Sequence, residues 1–243
     1  MNRAARMAIA MAAALSLAPG GLASATGQHR ADRVSRLSVE SLVEAGYTAR
    51  FVDRGSPLPV AGTVTVPTLT CGPSDTGVVT SVGLLEVPYR FAGGRIYAWC
   101  ADGAPAYEAR LESSAGPGVD VDGLVEAGDR VKITAIWNGD VGLPEVDVTM
   151  VGLDRGWRAN AQFDFIADGF NAAGFRQTPM WSDGAPLPVA DAIGARVVRA
   201  RVDRQDLGDR AVTRSVLVDA AGDRIVRPSK IKSGGRFSFS YVR

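Results

Sequence analysis

The chain has 243 residues, and its 27 Lys and Arg nearly balance its 26 Asp and Glu. A near-neutral chain without a basic stripe is not typical of nucleic-acid-binding proteins, so we expect no nucleic-acid partner. The one histidine, His29, lies in a polar segment near the N-terminus. Histidine-based catalytic triads and zinc sites are therefore excluded from the remainder of the chain.

Residues 1–25 have the pattern of a secretory signal peptide. Arg3 and Arg6 precede an apolar run, and small residues up to Ala25 form a cleavage site. The apolar run is shorter than the roughly 20 residues of a membrane-spanning helix. Removal of this segment would leave acidic residues in excess by one. We therefore expect a secreted, soluble, monomeric protein that does not insert into a membrane.

Residues 26–46 form a polar segment in which Leu37–Ala45 could make a short helix. From Tyr47 to the end, short alternating runs separated by Gly, Pro, Asp and Ser predict one all-β domain over residues 47–243. The stretch from Asp168 to Pro188 is expected to be a long loop. The predicted strands are Tyr47–Val52, Gly62–Thr70, Val78–Leu85, Arg95–Ala101, Ala106–Glu112, Arg130–Trp137, Glu145–Val151, Ala161–Ile166, Ala195–Val202, Val212–Val218 and Arg236–Val242.

The alternation within these runs predicts which side chains face the core. In the last run, Phe237, Phe239 and Tyr241 alternate with Ser238 and Ser240. Period-two patterns of this kind are typical of half-buried antiparallel strands. We expect the aromatic side chains to point inward and the serines to face solvent.

The chain contains two cysteines, Cys71 and Cys100, which are 29 positions apart. In an oxidising compartment such a pair most simply forms one disulfide. Cys100 ends a strand just before Asp102-Gly103, a dipeptide typical of hairpin turns. We therefore expect the disulfide to brace this hairpin.

Seven short motifs follow one another between Gly62 and Tyr241. They are GTVTVPTLTC at 62–71, TSVG at 80–83, the hairpin from Cys100 to Glu112, VEAGDRVKI at 125–133, DRGW at 154–157, PVAD at 188–191 and the closing run 228–241. Their order resembles that of the eqolisins, the glutamic peptidases, in a secreted bacterial branch. The resemblance implies an all-β, jelly-roll-like (concanavalin-like) antiparallel sandwich of two curved sheets, with a cleft on its concave face.

The same resemblance implies a catalytic pair, and this sequence departs from it. In the family a glutamate acts as general acid and base, and a glutamine amide binds the water and the oxyanion. Gly94 or Arg95 stands where the glutamine is expected, and the run 160–168, taken as the glutamate strand, contains no glutamate. The tryptophan of the W-V-G motif is replaced by Ser81. We therefore expect the peptidase pair to be absent and no cofactor or metal to be required.

Several residues remain as candidate site residues. Gln162 and Asp164 share one strand face, so a displaced amide and carboxylate pair would make the chain an acid-acting endopeptidase. Asp168 and Glu108 are further carboxylate candidates. An outward polar face and an ion-pair ladder are the competing structural interpretations.

Three other side chains are candidates for ligand binding. They are Trp157 and Trp181, which fall at turns, and Arg95. The sequence thus favours a non-catalytic protein that binds a peptide, a protein or a glycan in its cleft, or that acts structurally.

Overall fold

Extended strands dominate the described part of the chain. The computed structural model describes residues 36–50, 57–86, 90–121, 124–139, 145–165, 170–182 and 184–242. Within these ranges lie twenty strands and one 3-10 turn, Leu207–Asp209. The strands are β1 Arg36–Ser41, β2 Ala45–Arg50, β3 Leu58–Thr65, β4 Thr68–Thr70, β5 Thr76–Glu86, β6 Arg90–Ala101, β7 Ala104–Ser113, β8 Gly116–Asp120, β9 Arg130–Trp137, β10 Glu145–Gly152, β11 Arg158–Asp164, β12 Ala172–Pro179, β13 Trp181–Ser182, β14 Ala185–Pro186, β15 Asp191–Ile193, β16 Arg196–Val202, β17 Gln205–Asp206, β18 Val212–Val218, β19 Arg224–Pro228 and β20 Phe237–Tyr241.

The strands form two layers, which we call sheet 1 and sheet 2. Sheet 1 has the order β18-β2-β12-β5-β6-β7-β8, and β1 pairs in parallel with β18. Sheet 2 has the order β11-β10-β9-β3-β16. Strand β20 pairs with both β16 and β19, so the hydrogen-bonded order continues from one layer to the other. All these pairings except β1 with β18 are antiparallel, which confirms the predicted all-β antiparallel fold.

One core lies between the layers. It contains Val82 and Ile96 from sheet 1 and Ile133 and Val148 from sheet 2, all fully buried. Alternate residues of β9 enter this core, as the period-two pattern predicts. Phe237 and Phe239 of β20 also pack in it, which confirms the face predicted for the two phenylalanines.

The prediction of a short helix at Leu37–Ala45 is wrong. Residues 36–41 form β1, and β2 begins at Ala45. β1 pairs with β18 from Arg36–Val212 to Ser41–Leu217. This pairing gives the backbone groups of β1 hydrogen-bond partners in an extended conformation, which the local sequence pattern does not reveal.

The prediction of a long loop from Asp168 to Pro188 is also wrong. Its first part lies outside the described residues, but residues 172–179 form β12, a central strand of sheet 1. The first four residues of β12 are all buried, so the strand lacks the alternation that marks a half-exposed strand. Gly174 and Pro179, which are typical of loops, lie within it.

Several other strand boundaries differ from the predicted ones. The run 62–70 divides into β3 and β4, and strands β8 and β19 were not predicted. The expected signal peptide, residues 1–25, lies outside the described residues. Among the described residues, no helix is long and apolar enough to cross a membrane.

The predicted disulfide is present. Cys71 and Cys100 are bonded, and their Cα atoms are 5.5 Å apart. Cys100 pairs with Thr76 of β5 and with Pro105 of β7 in the hairpin β6–β7. The disulfide therefore fixes the segment after β4 to the end of this hairpin.

Candidate functional site

The candidate site is the outer face of sheet 1, which is the face directed away from the core. Residues that pair directly across antiparallel strands share a face, so this surface can be read in rows. One row consists of Gly174 of β12, Gly83 of β5 and Gly93 of β6. The next row is Arg176, Ser81, Arg95 and Arg110, in the same strand order continued to β7.

The glycine row is covered by apolar side chains. A Cβ built on Gly83 would lie 2.8 Å from the ring of Phe91, and one on Gly93 would lie 2.9 Å from the same ring. A Cβ on Gly174 would lie 2.5 Å from Leu85. Phe91, Leu85 and Ala172 are buried and form a small cluster of their own. The side chains of Phe91 and Leu85 therefore cover the middle of the outer face; we call these two residues the apolar lid.

Arg95 lies beside this lid and is held on two sides. Its guanidinium lies 4.6 Å from the centroid of the Phe91 ring, and its Nη1 is 2.8 Å from Oε2 of Glu112. The hydroxyl of Tyr97 donates a hydrogen bond to the other oxygen of Glu112. Burial, and next the hydrogen bond to Glu112, raise the pKa of Tyr97 above its ordinary value. Glu112 is therefore a fully engaged carboxylate.

The remaining charges of the row are also paired. Nε of Arg110 lies 2.6 Å from carboxylate oxygens of both Glu108 and Asp120. Arg176 pairs with Glu44 at 2.5 Å and donates to the hydroxyl of Thr48. Burial lowers the pKa of Arg176, and the nearby Glu44 acts in the opposite direction. Glu108, predicted as a possible catalytic carboxylate, belongs to this ion-paired ladder.

Sequence reasoning missed the one glutamine on the strands of sheet 1. Gln177 of β12 is fully buried on the inner face, where its Nε2 donates to Thr80 Oγ1 at 2.9 Å. Its Oε1 accepts a hydrogen bond from the hydroxyl of Tyr241 at 2.7 Å. Both ends of the amide are thus used inside the sandwich. No amide side chain projects from these strands onto the outer face within the described ranges.

The two positions expected for the glutamine differ in direction. A Cβ on Gly94 would meet Ile133 and Met150 in the core, so Gly94 faces inward. Arg95 therefore occupies the outer-face position. Of the run 160–168 proposed for the glutamate, residues 160–164 belong to β11, at the edge of sheet 2, and residues 166–168 lie outside the described residues. In sheet 1, β5 lies between β6 and β12, and β12 contains no carboxylate.

The displaced pair of candidates lies on sheet 2. Gln162 and Asp164 of β11 are both exposed, and Phe163 between them is buried, as expected for an outward polar face. Asp164 also lines a cavity of about 280 Å³ with Arg90, Ser114 and Phe165. Asp168 lies outside the described residues.

The two candidate tryptophans lie in different environments. Trp157 is partly buried against the core, and its Nε1 donates to the carbonyl of Leu124 at 3.0 Å. Trp181 is 60% exposed and opens the short hairpin β13–β14 directly after Met180. Met180 packs on Gly77, which pairs with Trp99 of β6. Trp181 thus belongs to a hairpin at the end of sheet 1.

The charged groups on the outer face of sheet 1 are engaged with one another. A general base needs a carboxylate within reach of a water, and an oxyanion site needs a free donor. On the outer face the described carboxylates are ion-paired, and a phenylalanine ring covers the glycine row. No cluster of three or more His, Cys, Asp or Glu side chains suited to a metal ion occurs among the described residues.

Comparison with known proteins adds a likeness of fold. No protein-family model and no curated protein matches the chain. Among solved structures, scytalido-glutamic peptidase with a peptide-based transition state analogue is 17% identical, covers 82% of this chain and 100% of its own, and has a TM-score of 0.61. SCP-B, described as a member of the eqolisin family and bound to the tripeptide Ala-Ile-His, is also 17% identical, with 82% and 100% coverage and a TM-score of 0.55.

Aspergilloglutamic peptidase from Aspergillus niger gives a TM-score of 0.50 at 17% identity, and covers 69% of this chain and 98% of its own. Identities this low reflect a shared backbone and leave the chemistry of individual side chains open. The strand order, the two layers and these alignments agree. The chain has the fold of the eqolisin glutamic peptidases.

Proposed function

We propose that this protein is a secreted, non-catalytic binding module that holds an extended peptide against the outer face of sheet 1. The observation that carries the proposal is the state of that face. Phe91 covers the row of glycines, and Arg95 and Glu112 neutralise each other beside it. A water activated by a free carboxylate has no place in this arrangement, whereas a peptide can still contact the surface around it.

The groups around Arg95 suit a peptide ligand. Tyr97 and Trp99 lie on the same face as Arg95 at successive alternate positions of β6, and both are partly exposed. Aromatic rings and arginines are the residue types that most often anchor protein ligands. Two structures with the same fold have peptide-like ligands, namely a peptide-based transition state analogue and the tripeptide Ala-Ile-His. The exposed Trp181 hairpin gives the surface a further apolar edge.

Secretion is part of the same proposal. The disulfide between Cys71 and Cys100 is of a kind that persists in oxidising compartments. The N-terminal sequence has the charged, apolar and small-residue regions of a signal peptide.

Fluorescence titration of the mature protein with short peptides, starting from Ala-Ile-His, tests binding. We expect saturable quenching that Trp181→Phe reduces, and an affinity about tenfold weaker in Arg95→Gln, because a hydrogen bond to a charged group is lost. Arg158→Gln, on the edge strand of sheet 2, is the matched control. No response to any peptide, or a response only to neutral oligosaccharides, would refute the peptide site.

A digestion assay tests the non-catalytic part. We expect no cleavage of unfolded casein between about pH 3 and pH 7, because loss of an oxyanion donor and of the general acid–base each removes about two or more orders of magnitude in rate. The alternative is an acid-acting endopeptidase that uses Gln162 and Asp164. Cleavage that disappears in Asp164→Asn would establish that alternative.

A further inference from the structure

A second candidate site lies beside β20, the strand that connects the two layers, at a cavity of about 320 Å³. The cavity lies where β16, β20 and the hairpin between Lys232 and Arg236 meet. Its lining includes three cationic side chains, two hydroxyls and an apolar floor, namely Arg196, Lys232, Arg236, Ser229, Ser238 and Phe237. This volume is at the lower end of the range for small-molecule sites, which is roughly 300–1,000 Å³.

Two of the cationic side chains are positioned by hydrogen bonds. Nε of Arg196 donates to Thr65 Oγ1 at 3.0 Å, and Nε of Arg236 donates to the carbonyl of Ser233 at 3.1 Å. Each guanidinium is thus held at Nε, and among the described residues no hydrogen bond engages its two terminal nitrogens. Lys232 and Arg236 exchange two backbone hydrogen bonds, of 2.7 and 3.2 Å.

The hairpin itself is fixed to the sheet. The amide of Ala200 on β16 donates to the carbonyl of Gly235 at 3.1 Å, and Arg199 donates to Gly234 at 3.0 Å. Gly234 and Gly235 have positive φ of 72° and 61°, a conformation that glycine adopts without strain. Arg196 is thus presented by β16, and Lys232 and Arg236 by a hairpin whose tip is hydrogen-bonded to β16.

These charges lack the compensation found elsewhere in the molecule. Arg95, Arg110, Arg130, Arg155, Arg176 and Arg201 each have a carboxylate within ion-pairing distance. Over the ranges that the structure describes, no ion pair involves Arg196, Lys232 or Arg236, and no carboxylate lines the cavity. Asp206 and Asp209 line an adjacent depression that Lys232 shares. Three cations and no carboxylate thus line this one cavity, a balance of charge that favours an anion.

We propose that this cavity binds an oxyanion, a phosphate or sulfate group. Guanidinium groups bind such groups through paired hydrogen bonds, and an ammonium group adds a point charge. The anion can be free in solution or be an ester on a polysaccharide. The proposal is independent of the peptide site, because none of the residues that line the cavity lies on β5, β6, β7 or β12, the strands that form the proposed peptide surface.

Calorimetric titration with inorganic phosphate, inorganic sulfate and a sulfated oligosaccharide tests the proposal and separates the two sources. We expect saturable binding that weakens as salt increases. Lys232→Gln and Arg236→Gln should each lower the affinity by about tenfold, whereas Arg158→Gln, an exposed arginine on β11, should leave it unchanged. Stronger binding of the sulfated oligosaccharide than of free sulfate would identify a polymer-borne group, and equal binding would identify the free anion.

A comparison of variants makes the result specific to the cavity. Lys232→Gln changes only an exposed side chain, so its melting temperature should match that of the parent protein. Arg196→Lys keeps the charge but cannot form a paired contact, so it should retain part of the affinity. Absence of binding by all three probes overturns the proposal. Equal loss of affinity in Lys232→Gln and Arg158→Gln also overturns it, because the binding would then be non-specific.

Discussion

Arg95 and Glu112 lie on neighbouring strands at the outer face of sheet 1, with Nη1 and Oε2 2.8 Å apart. Glu112 pairs across the strands with Gly93 and not with Arg95, so the ion pair runs diagonally. Because Gly93 has no side chain, nothing at that position stands between the side chains of Arg95 and Glu112. The same two groups border the surface proposed to bind peptide.

This ion pair should contribute measurably to stability. A double-mutant cycle with Arg95→Met and Glu112→Gln should give a coupling free energy of about 1 kcal/mol, the upper end for partly exposed pairs. The measurement is urea unfolding of the four proteins. A coupling below about 0.3 kcal/mol, which is the scatter for independent sites, would show that the two residues do not interact in solution.

Tyr241 and Gln177 should make the protein sensitive to alkaline pH. Burial raises the pKa of Tyr241 well above its ordinary value of 10.0. Burial also raises the pKa of Tyr97. Above about pH 10 the unfolded chain loses these protons more readily than the folded chain, so the free energy of unfolding should fall as the pH rises.

The variant Tyr241→Phe separates this effect from general alkaline unfolding. It should weaken the pH dependence above about pH 10, because one of the two tyrosines with a raised pKa is removed. Near neutral pH it should cost about 1–3 kcal/mol, since the buried Oε1 of Gln177 loses its partner. Tyr107→Phe should cost less, because the hydroxyl of Tyr107 accepts only one long hydrogen bond, of 3.4 Å, from the amide of Leu69. An unchanged alkaline slope in Tyr241→Phe would contradict the assignment.

The disulfide should be present in the exported protein and should stabilise it. Alkylation without reductant should label neither Cys71 nor Cys100. Replacing both with Ser should lower the free energy of unfolding by about 3–4 kcal/mol, the loop-closure estimate for a bridge across 29 positions. Denaturant unfolding of the two proteins measures the difference. Free thiols in the mature protein would refute the first expectation.

The sequence predicted the half-exposed strands well and failed where strands are covered on both faces. β9 was predicted with the right ends because its exposed and buried residues alternate. β12 was missed because its first residues are buried on both sides, so alternation is lost. β1 was missed because its partner, β18, lies more than 170 positions later in the chain.

The candidate site shows the same limit. The order of the motifs was enough to indicate the eqolisin-like fold, because each motif consists of turn and core residues that are close together in the sequence. The motif order also predicted that Gly94 or Arg95 stands at the glutamine position, and the structure shows that Arg95 is the one on the outer face. The burial of Gln177 and the cover that Phe91 provides depend on contacts between strands, and no spacing rule reveals them.

The glycine row gives a last test of how this face is built. Gly93 and Gly83 stand directly opposite each other on β6 and β5. A Cβ on Gly93 would lie 2.3 Å from the carbonyl oxygen of Val82 and 2.6 Å from Cα of Gly83, both of them backbone atoms that cannot rotate away. Gly93→Ala should therefore destabilise the protein by about 2–3 kcal/mol, at the upper part of the range for overpacking.

Gly116→Ala is the matched control, because a Cβ at that position of β8 would have no atom within 4 Å. It should leave stability unchanged or raise it slightly, since alanine restricts the unfolded chain. Thermal unfolding of both variants measures the contrast. If Gly93→Ala were as stable as Gly116→Ala, strands β5 and β6 would have to be further apart than described. The outer face would then have room for larger side chains, such as an amide or an unpaired carboxylate. The lack of such groups on this face supports the non-catalytic proposal.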